Sequence, residues 1–364
     1  MTFSKVIGQD LVKQVLNRAL ERDKLAGSYL FFGPEGVGKW ATALEVAKRL
    51  NCQKGNLGPC GNCASCKKIT RLSHADITLL FPLPAVKKEE EKGKFREEFK
   101  NEKIEEPYSI MCFDKPSNIA VEEIREMQRE LSLKPYEAKR RVVIVYQAEK
   151  MAVAGGNSLL KSLEEPPLDA VLILTSSEPS KLLPTILSRC QKIRFSPLAD
   201  ALIEDYLITN YKLSSQQARF CSKLSRGSLG KALSLMDSER SEIREDGVNL
   251  LRCALKEELV SSVELVGGLL RKWDRDSILE MFDFLFTFLR DIYLYLEEEG
   301  DDDLLNLDLK EEIIKLAGIL KEGELVEEGM GLINRTKEDC IKRNANLELS
   351  LLALVLSWRS YIRR

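Results

Sequence analysis

The chain has 364 residues, enough for two or three domains with ample core, and its 44% apolar and 31% charged content is that of an ordinary globular protein. Its 55 basic residues against 57 acidic ones leave a net charge of −2, so no global basic excess supports tight, autonomous nucleic-acid binding. A single histidine, His74, removes most histidine-based acid–base catalysis from consideration.

The first residues, Met1 to Gly8, lack the apolar core of a signal peptide, which points to a cytoplasmic protein. A helix is expected within residues 4–24, beginning near Gly8, with Leu11, Val15, Leu16 and Leu20 on one face. Leu30, Phe31 and Phe32 then form a short apolar run, as in a buried strand, that ends at Gly33.

The segment Gly33-Pro34-Glu35-Gly36-Val37-Gly38-Lys39-Trp40 is a phosphate-binding loop complete except at its last position. A working loop ends in Ser or Thr, whose hydroxyl ligates the Mg²⁺ of the nucleotide. Trp40 offers only an indole N–H donor and cannot hold a metal ion. Ala43, Leu44, Val46, Ala47 and Leu50 continue at helical spacing. Strand, glycine loop and helix place backbone N–H groups around an anion, so Gly33, Gly36, Gly38 and Lys39 are the residues of a vestigial nucleotide site.

Four of the nine cysteines cluster: Cys52, Cys60, Cys63 and Cys66, at spacing C-x₇-C-x₂-C-x₂-C. Four thiolates about 2.3 Å from a common centre suit a closed, structural Zn²⁺ site with no open position for catalysis. The close spacing also fits an iron–sulfur cluster, while disulfides do not suit a reducing compartment. Gly55, Gly58, Pro59 and Gly61 make a compact knuckle that favours zinc. Cys112, Cys190, Cys221, Cys253 and Cys340 are scattered and read as buried small residues.

From Lys87 to Glu106, 15 of 20 residues are charged, with Phe95, Phe99 and Ile104 the apolar exceptions. This reads as a solvent-exposed insertion, a frayed helix or a disordered loop. Ile119, Ile124, Met127 and Leu131 mark an amphipathic helix, and Val142 to Val145 a second buried strand. A phosphate loop's partner strand ends in carboxylates that hold the metal and aim the attacking water. Here Tyr146 and Gln147 stand in those places, with Glu149 further on as a surface or helix-start residue. Two independent defects point the same way: the chain is not expected to hydrolyse ATP.

Leu159 to Glu165 is helical and stops at Pro166-Pro167. Ala170 to Leu174 is a third strand, followed by Thr175-Ser176-Ser177, and Gln191 to Phe195 a fourth after the segment Leu182 to Cys190. Strands alternating with helices argue for a doubly wound, mainly parallel α/β sheet over residues 1–197, carrying the cysteine module at about 51–68 and the charged insertion at about 86–107. Beyond Pro197 strand signals stop. Residues 198–240 read as a small helical unit and 241–364 as all-helical, with the acidic run Glu297 to Asp303 a solvated loop. Ile278 to Leu296 is strongly apolar, but Glu280, Asp283, Arg290 and Asp291 rule against a membrane span. Its aromatics surround more than one helical face, so it is buried either in the chain's own core or at a subunit interface.

Taken together, the phosphate loop, the four-cysteine knuckle, Leu163-Glu164-Glu165-Pro166-Pro167 and Ser188-Arg189-Cys190, in that order, resemble the AAA+ subunits of the bacterial replicative clamp loader. The resemblance runs from Ile7-Gly8-Gln9 to Asn344-Ala345-Asn346-Leu347-Glu348. It implies an AAA+ domain, a helical lid at 198–240, and a collar at 241–364 that holds subunits together. In the family, Ser-Arg-Cys places its arginine against ATP bound by the neighbouring subunit, so Arg189, with Ser188 and Cys190, is the implied finger in trans. ATPase members, gamma and tau, carry an arginine in the lid's Gly-Ser-x-Arg; here Gly230 takes that place, with Lys231 next to it. The implied role is a non-hydrolysing subunit of a hetero-pentamer with gamma/tau and delta subunits. That assembly opens a sliding clamp and loads it onto primed DNA, with ATP or ADP binding by this chain weak or absent. Two rivals are an active gamma/tau-like ATPase and a zinc-dependent DNA-binding protein. The second would gather basic residues at the cysteines, where only Lys54, Lys67, Lys68 and Arg71 stand.

Overall fold

The computed structural model describes residues 3, 5–54, 58–86, 88–111, 113, 115–236, 238–255, 259–297, 304–306, 309–343 and 345–362. Gly55, Cys112, Asn344 and the acidic run after Glu297 lie outside the described residues. Two compact units are present: Met1–Tyr211 with Ser225–Ser234, and Lys212–Leu224 with Leu235–Arg364.

The first unit opens with α1 (Asp10–Glu21), β1 (Ser28–Phe32), α2 (Lys39–Asn51), α3 (Ala64–Thr70) and β2 (Ile77–Leu80). After β3 (Leu83–Pro84) come α4 (Glu89–Glu105), β4 (Ser117–Asn118), α5 (Val121–Leu131), β5 (Arg141–Val145) and α6 (Val153–Glu164). It closes with β6 (Ala170–Ser176), α7 (Pro184–Arg189), β7 (Gln191–Arg194), α8 (Asp200–Tyr211) and, past α9 (Ser215–Ser225), α10 (Leu229–Ser234).

Five strands form one sheet in the order β2-β5-β6-β1-β7, every pairing parallel. Parallel strands need crossovers, and helices therefore cover both faces, which is why the inner strands are near-continuous apolar runs. Alternation along β5 shows it: Val142 and Ile144 enter the core shared with α1 to α4, while Val143 and Val145 enter the one built by α5 to α7. Register pairs Phe32 with Ser176 and Val145 with Leu174, so the turns after β1, β5 and β6 gather at the carboxyl edge of the sheet.

Three expectations change. In α1 the buried residues are Val12 and Leu16, whereas Leu11 is 78% exposed and Val15 faces solvent. Leu16 and Leu20 face the core as expected, and Val12 takes the place expected for Leu11. The edge strand β2 is an addition to the expected strands, although Ile77-Thr78-Leu79-Leu80-Phe81 is an apolar run. The charged insertion is neither frayed nor solvated throughout: α4 is a 17-residue helix that buries Phe99 and Lys103, and the short antiparallel pair β3–β4 closes its base. Phe95, Phe99 and Lys103 recur every four residues, which puts them on one face of a helix whose other faces are charged.

The second unit is helical: α9, α11 (Ser238–Leu255), α12 (Leu259–Lys272), α13 (Arg275–Leu296), α14 (Lys310–Leu320), α15 (Gly323–Arg343) and α16 (Leu347–Ile362). Asp274 caps α13 by accepting the Ser277 N–H at 2.9 Å. The α13 residues Ile278, Phe282, Leu285, Phe288 and Ile292 are buried in the unit's own core with side chains of α11, α14, α15 and α16, so the intramolecular reading of this stretch accounts for it. Among the described residues, no helix is long and apolar enough to cross a membrane.

Candidate nucleotide cleft and cysteine cluster

β1 delivers the chain into a loop whose backbone only glycine adopts freely: φ is 145° at Gly33, 69° at Gly36 and 101° at Gly38. A Cβ on Gly33 would also lie 2.2 Å from the Phe195 carbonyl oxygen. The loop conformation is thus built as the motif requires. Its lysine is turned inward. Lys39 is buried and donates to the carbonyl oxygens of Gly33 (2.6 Å) and Pro34 (2.5 Å). Burial lowers its ammonium to about pKa 8, against the opposing pull of Glu35 and Glu149.

On the metal side of the loop there is an aromatic box. Trp40 meets Phe99 edge-on at 5.5 Å and Tyr146 at 5.7 Å, and Phe99 meets Tyr146 at 5.4 Å. Gln147, left-handed at φ 50°, donates its side-chain amide to the Glu35 carboxylate and its backbone N–H to the Thr175 hydroxyl. Glu149 is half-buried on a 3₁₀ turn, rather than a plain surface residue, and accepts from the N–H (2.9 Å) and hydroxyl (2.6 Å) of Ser177. Of the three positions that a working site would use for magnesium and water, Trp40 and Tyr146 are an indole and a phenol packed ring to ring, and Gln147 is tied to Glu35.

α4 completes the box. The Lys103 ammonium, 1% exposed, stands 4.6 Å from the Tyr146 ring centroid and donates to the Ser109 carbonyl. The Tyr108 ring lies against Gly38, and its hydroxyl accepts the Ile7 N–H at 2.7 Å. Lined by Glu35, Gly36, Lys39, Lys103, Tyr108 and Tyr146 among others, the cleft keeps about 20 Å³, room for about one water. Ligand pockets typically measure roughly 300–1,000 Å³. Sequence reasoning missed Lys103 and Tyr108 at this site; the four-residue spacing from Phe99 to Lys103 was the signal available.

At the opposite end of α2 the four cysteines come together. Cys52 follows the last residue of α2, Cys63 precedes α3 and Cys66 lies within α3. Their sulfurs all lie within 4.8 Å of one another, close to the separation of about 3.8 Å that tetrahedral thiolate ligation requires. Backbone N–H groups of Cys60, Cys63 and Cys66 point at the sulfurs of Cys52 (3.5 Å), Cys60 (3.3 Å) and Cys63 (3.4 Å). Hydrogen bonds from the N–H groups of Asn62 and Cys63 pull the Cys60 thiol down to about 6, while burial pushes Cys66 up. This donor set could hold a soft or borderline metal ion. Of the remaining described cysteines, Cys190, Cys221 and Cys340 are buried and Cys253 is half-buried.

Arg189 ends α7 and is 30% exposed; its Nε donates to Glu164 at 3.1 Å and its Nη1 to the Thr185 carbonyl at 3.2 Å. Ser188 is exposed and bonds Thr185, whereas Cys190 is buried in the core under α7. In this chain, the guanidinium therefore rests on a carboxylate of the Leu-Glu-Glu-Pro-Pro element.

Residues 8–199 match the family described as DNA polymerase III, delta subunit. The delta-prime subunit of Bacillus subtilis DNA polymerase III is 30% identical over 246 residues, which is 67% of this chain and 63% of that protein. The delta-prime subunit of Pseudomonas aeruginosa is 28% identical over 343 residues, 93% of each chain. Gamma/tau subunits of other bacteria also match, over 53–65% of the chain, so identity alone does not separate the two kinds of subunit. A DNA polymerase III gamma subunit-related protein from Thermotoga maritima superposes at TM-score 0.40 with 17% identity, over 96% of this chain and 99% of that one, a likeness too loose to bear on function. The chain spans less than two thirds of the Bacillus relative's length.

Proposed function

This chain belongs to the DNA polymerase III delta-subunit family, and we propose that within it the chain serves as a delta-prime subunit of the bacterial replicative clamp loader, one that does not hydrolyse ATP. The observation that carries the reading is the pairing of Trp40 with Tyr146: two of the three positions that would manage magnesium and water are filled by packed rings. Gamma/tau likeness favours an active ATPase as the second reading, and turnover by the purified chain separates the two.

The chain's contribution to chemistry is Arg189, offered to ATP on a neighbouring subunit. Its present ion pair with Glu164 is exposed, and such pairs contribute about 0–1 kcal/mol, so the guanidinium is released at little cost. Zinc in the cysteine site would fix the end of α2 to α3 and supply no catalysis, since four sulfurs leave no open position. The helices of residues 241–364 form the collar; Leu349 and Leu356, seven residues apart on α16 and exposed, offer apolar surface to neighbours. Partners are gamma/tau and delta subunits, the sliding clamp and primed DNA, in the cytoplasm. In a reconstituted loader, Arg189→Ala should leave assembly intact and lower turnover at the neighbouring site by about 10³. An ATPase rate equal to wild type would overturn the finger.

A further inference from the structure

Residues 103–110, the last turn of α4 and the segment that leaves it, run between the phosphate loop and α10 along the cleft described above. Tyr108 packs on Gly38, as described, and its backbone meets α10: a Cβ added to Gly230 would lie 2.4 Å from the Tyr108 carbonyl oxygen, 2.8 Å from Gly36 Cα and 2.8 Å from Ile110 Cγ1. Gly230 is thus glycine because this segment occupies the space. The loop and α10 are in turn joined directly, with the Gly230 N–H donating to the Gly36 carbonyl (3.1 Å) and the Ser228 hydroxyl to that of Glu35 (2.7 Å). On the α8 side, one Glu106 oxygen accepts from the hydroxyls of Tyr206 (2.9 Å) and Tyr211 (2.8 Å), and the other from the Tyr108 N–H (3.0 Å).

We propose that segment 103–110 is a built-in surrogate for nucleotide, a strap that holds α8 and α10 closed on the phosphate loop whatever the nucleotide concentration. The strap brings its own cation, Lys103, to the aromatic box and its own ring, Tyr108, to the glycine loop. Because it is tethered to α4, its binding is intramolecular, with an effective concentration of millimolar order. The idea rests on the reading of this cleft as silent and adds what keeps it so. It also gives the charged insertion a purpose, since α4 anchors the strap through Phe99, which stacks on Phe81 at 3.7 Å.

Hydrogen exchange of the full chain, read by mass spectrometry with and without ADP, tests it. In wild type, residues 103–110, α8 and α10 should exchange slowly, with no change on adding ADP. Glu106→Ala, which removes the acceptor of both tyrosines, should speed exchange in α8 by about tenfold, equivalent to about 1.4 kcal/mol, while β5 and β6 stay protected. The strap is overturned if 103–110 exchanges at unfolded rates in wild type, if ADP slows α10, or if a folded Glu106→Ala leaves α8 as slow as before. Should that variant not fold, the wild-type arm decides. These outcomes are separate from ATP turnover, on which the silent reading itself stands or falls.

Discussion

The two ends of α2 carry the two sites that the sequence advertises, and the structure treats them in opposite ways. At its C-terminal end, Cys52 joins Cys60, Cys63 and Cys66 in a gathered group of four thiols that could hold a metal ion. At its N-terminal end the phosphate loop keeps its glycines and its lysine, yet the lysine folds back on the loop and the chain's own rings fill the space. The difference teaches that a ligand set is portable, whereas a binding pocket depends on what the rest of the chain leaves empty. Cysteines close in sequence bring their own donors. A phosphate loop needs a distant strand end, a neighbouring helix and a void between them, and here all three are altered.

The largest effect that would sharpen this contrast lies at the cysteine end. Purified protein should carry one zinc per chain by elemental analysis, and Cys63→Ser should bring that near zero, given that structural zinc contributes roughly 10–16 kcal/mol of apparent binding energy in small modules. A brown sample containing iron would change the metal without changing the geometry.

At the other end, Trp40→Ser restores the motif's hydroxyl. If motif letters alone made the site, ATP binding would return. The account expects instead a loss of about 3–5 kcal/mol in denaturant unfolding, as for other large-to-small core changes, with no ATP turnover.

A smaller effect concerns how the cysteine end is anchored. Asn51, the last residue of α2, holds the backbone of Lys139 and Arg140, and Asp76 accepts the N–H groups of Tyr136 (2.7 Å), Glu137 (2.8 Å) and Ala138 (2.8 Å) beside Arg141. Burial pushes the Asp76 carboxyl up, but those N–H groups and Arg141 outweigh it and leave it below its ordinary 3.8. A lowered carboxyl stabilises fully above that value and is lost as pH falls through the folded-state value. Asp76→Asn should therefore lower unfolding free energy by about 2–3 kcal/mol near neutrality, and the gap to wild type should close only below about pH 4.

Much of this was legible in the residues. Glycine spacing, apolar runs and cysteine spacing are local, and they located the inner strands of the sheet, the loop and the cluster of four cysteines. Trp40, Tyr146 and Gln147 carry the expectation of a silent cleft because the chemistry each position needs is specific. What was not legible is what replaced it. Lys103 belongs to a run whose charge density points to solvent, and burial of its ammonium depends on Tyr146 and Ser109, met only in three dimensions. Gly230 reads in the sequence as a missing arginine, and only the strap beside it gives the reason. In α1 the first core position is Val12 rather than Leu11, because both are apolar and only packing chooses between them.

The central claim is a nucleotide cleft that is shaped correctly and filled from within. Its most direct test is calorimetric titration of the purified, metal-loaded chain with Mg·ATP, followed by an assay for released phosphate. Neither saturable heat nor turnover is expected; a saturating isotherm accompanied by steady phosphate release would contradict a cleft filled from within.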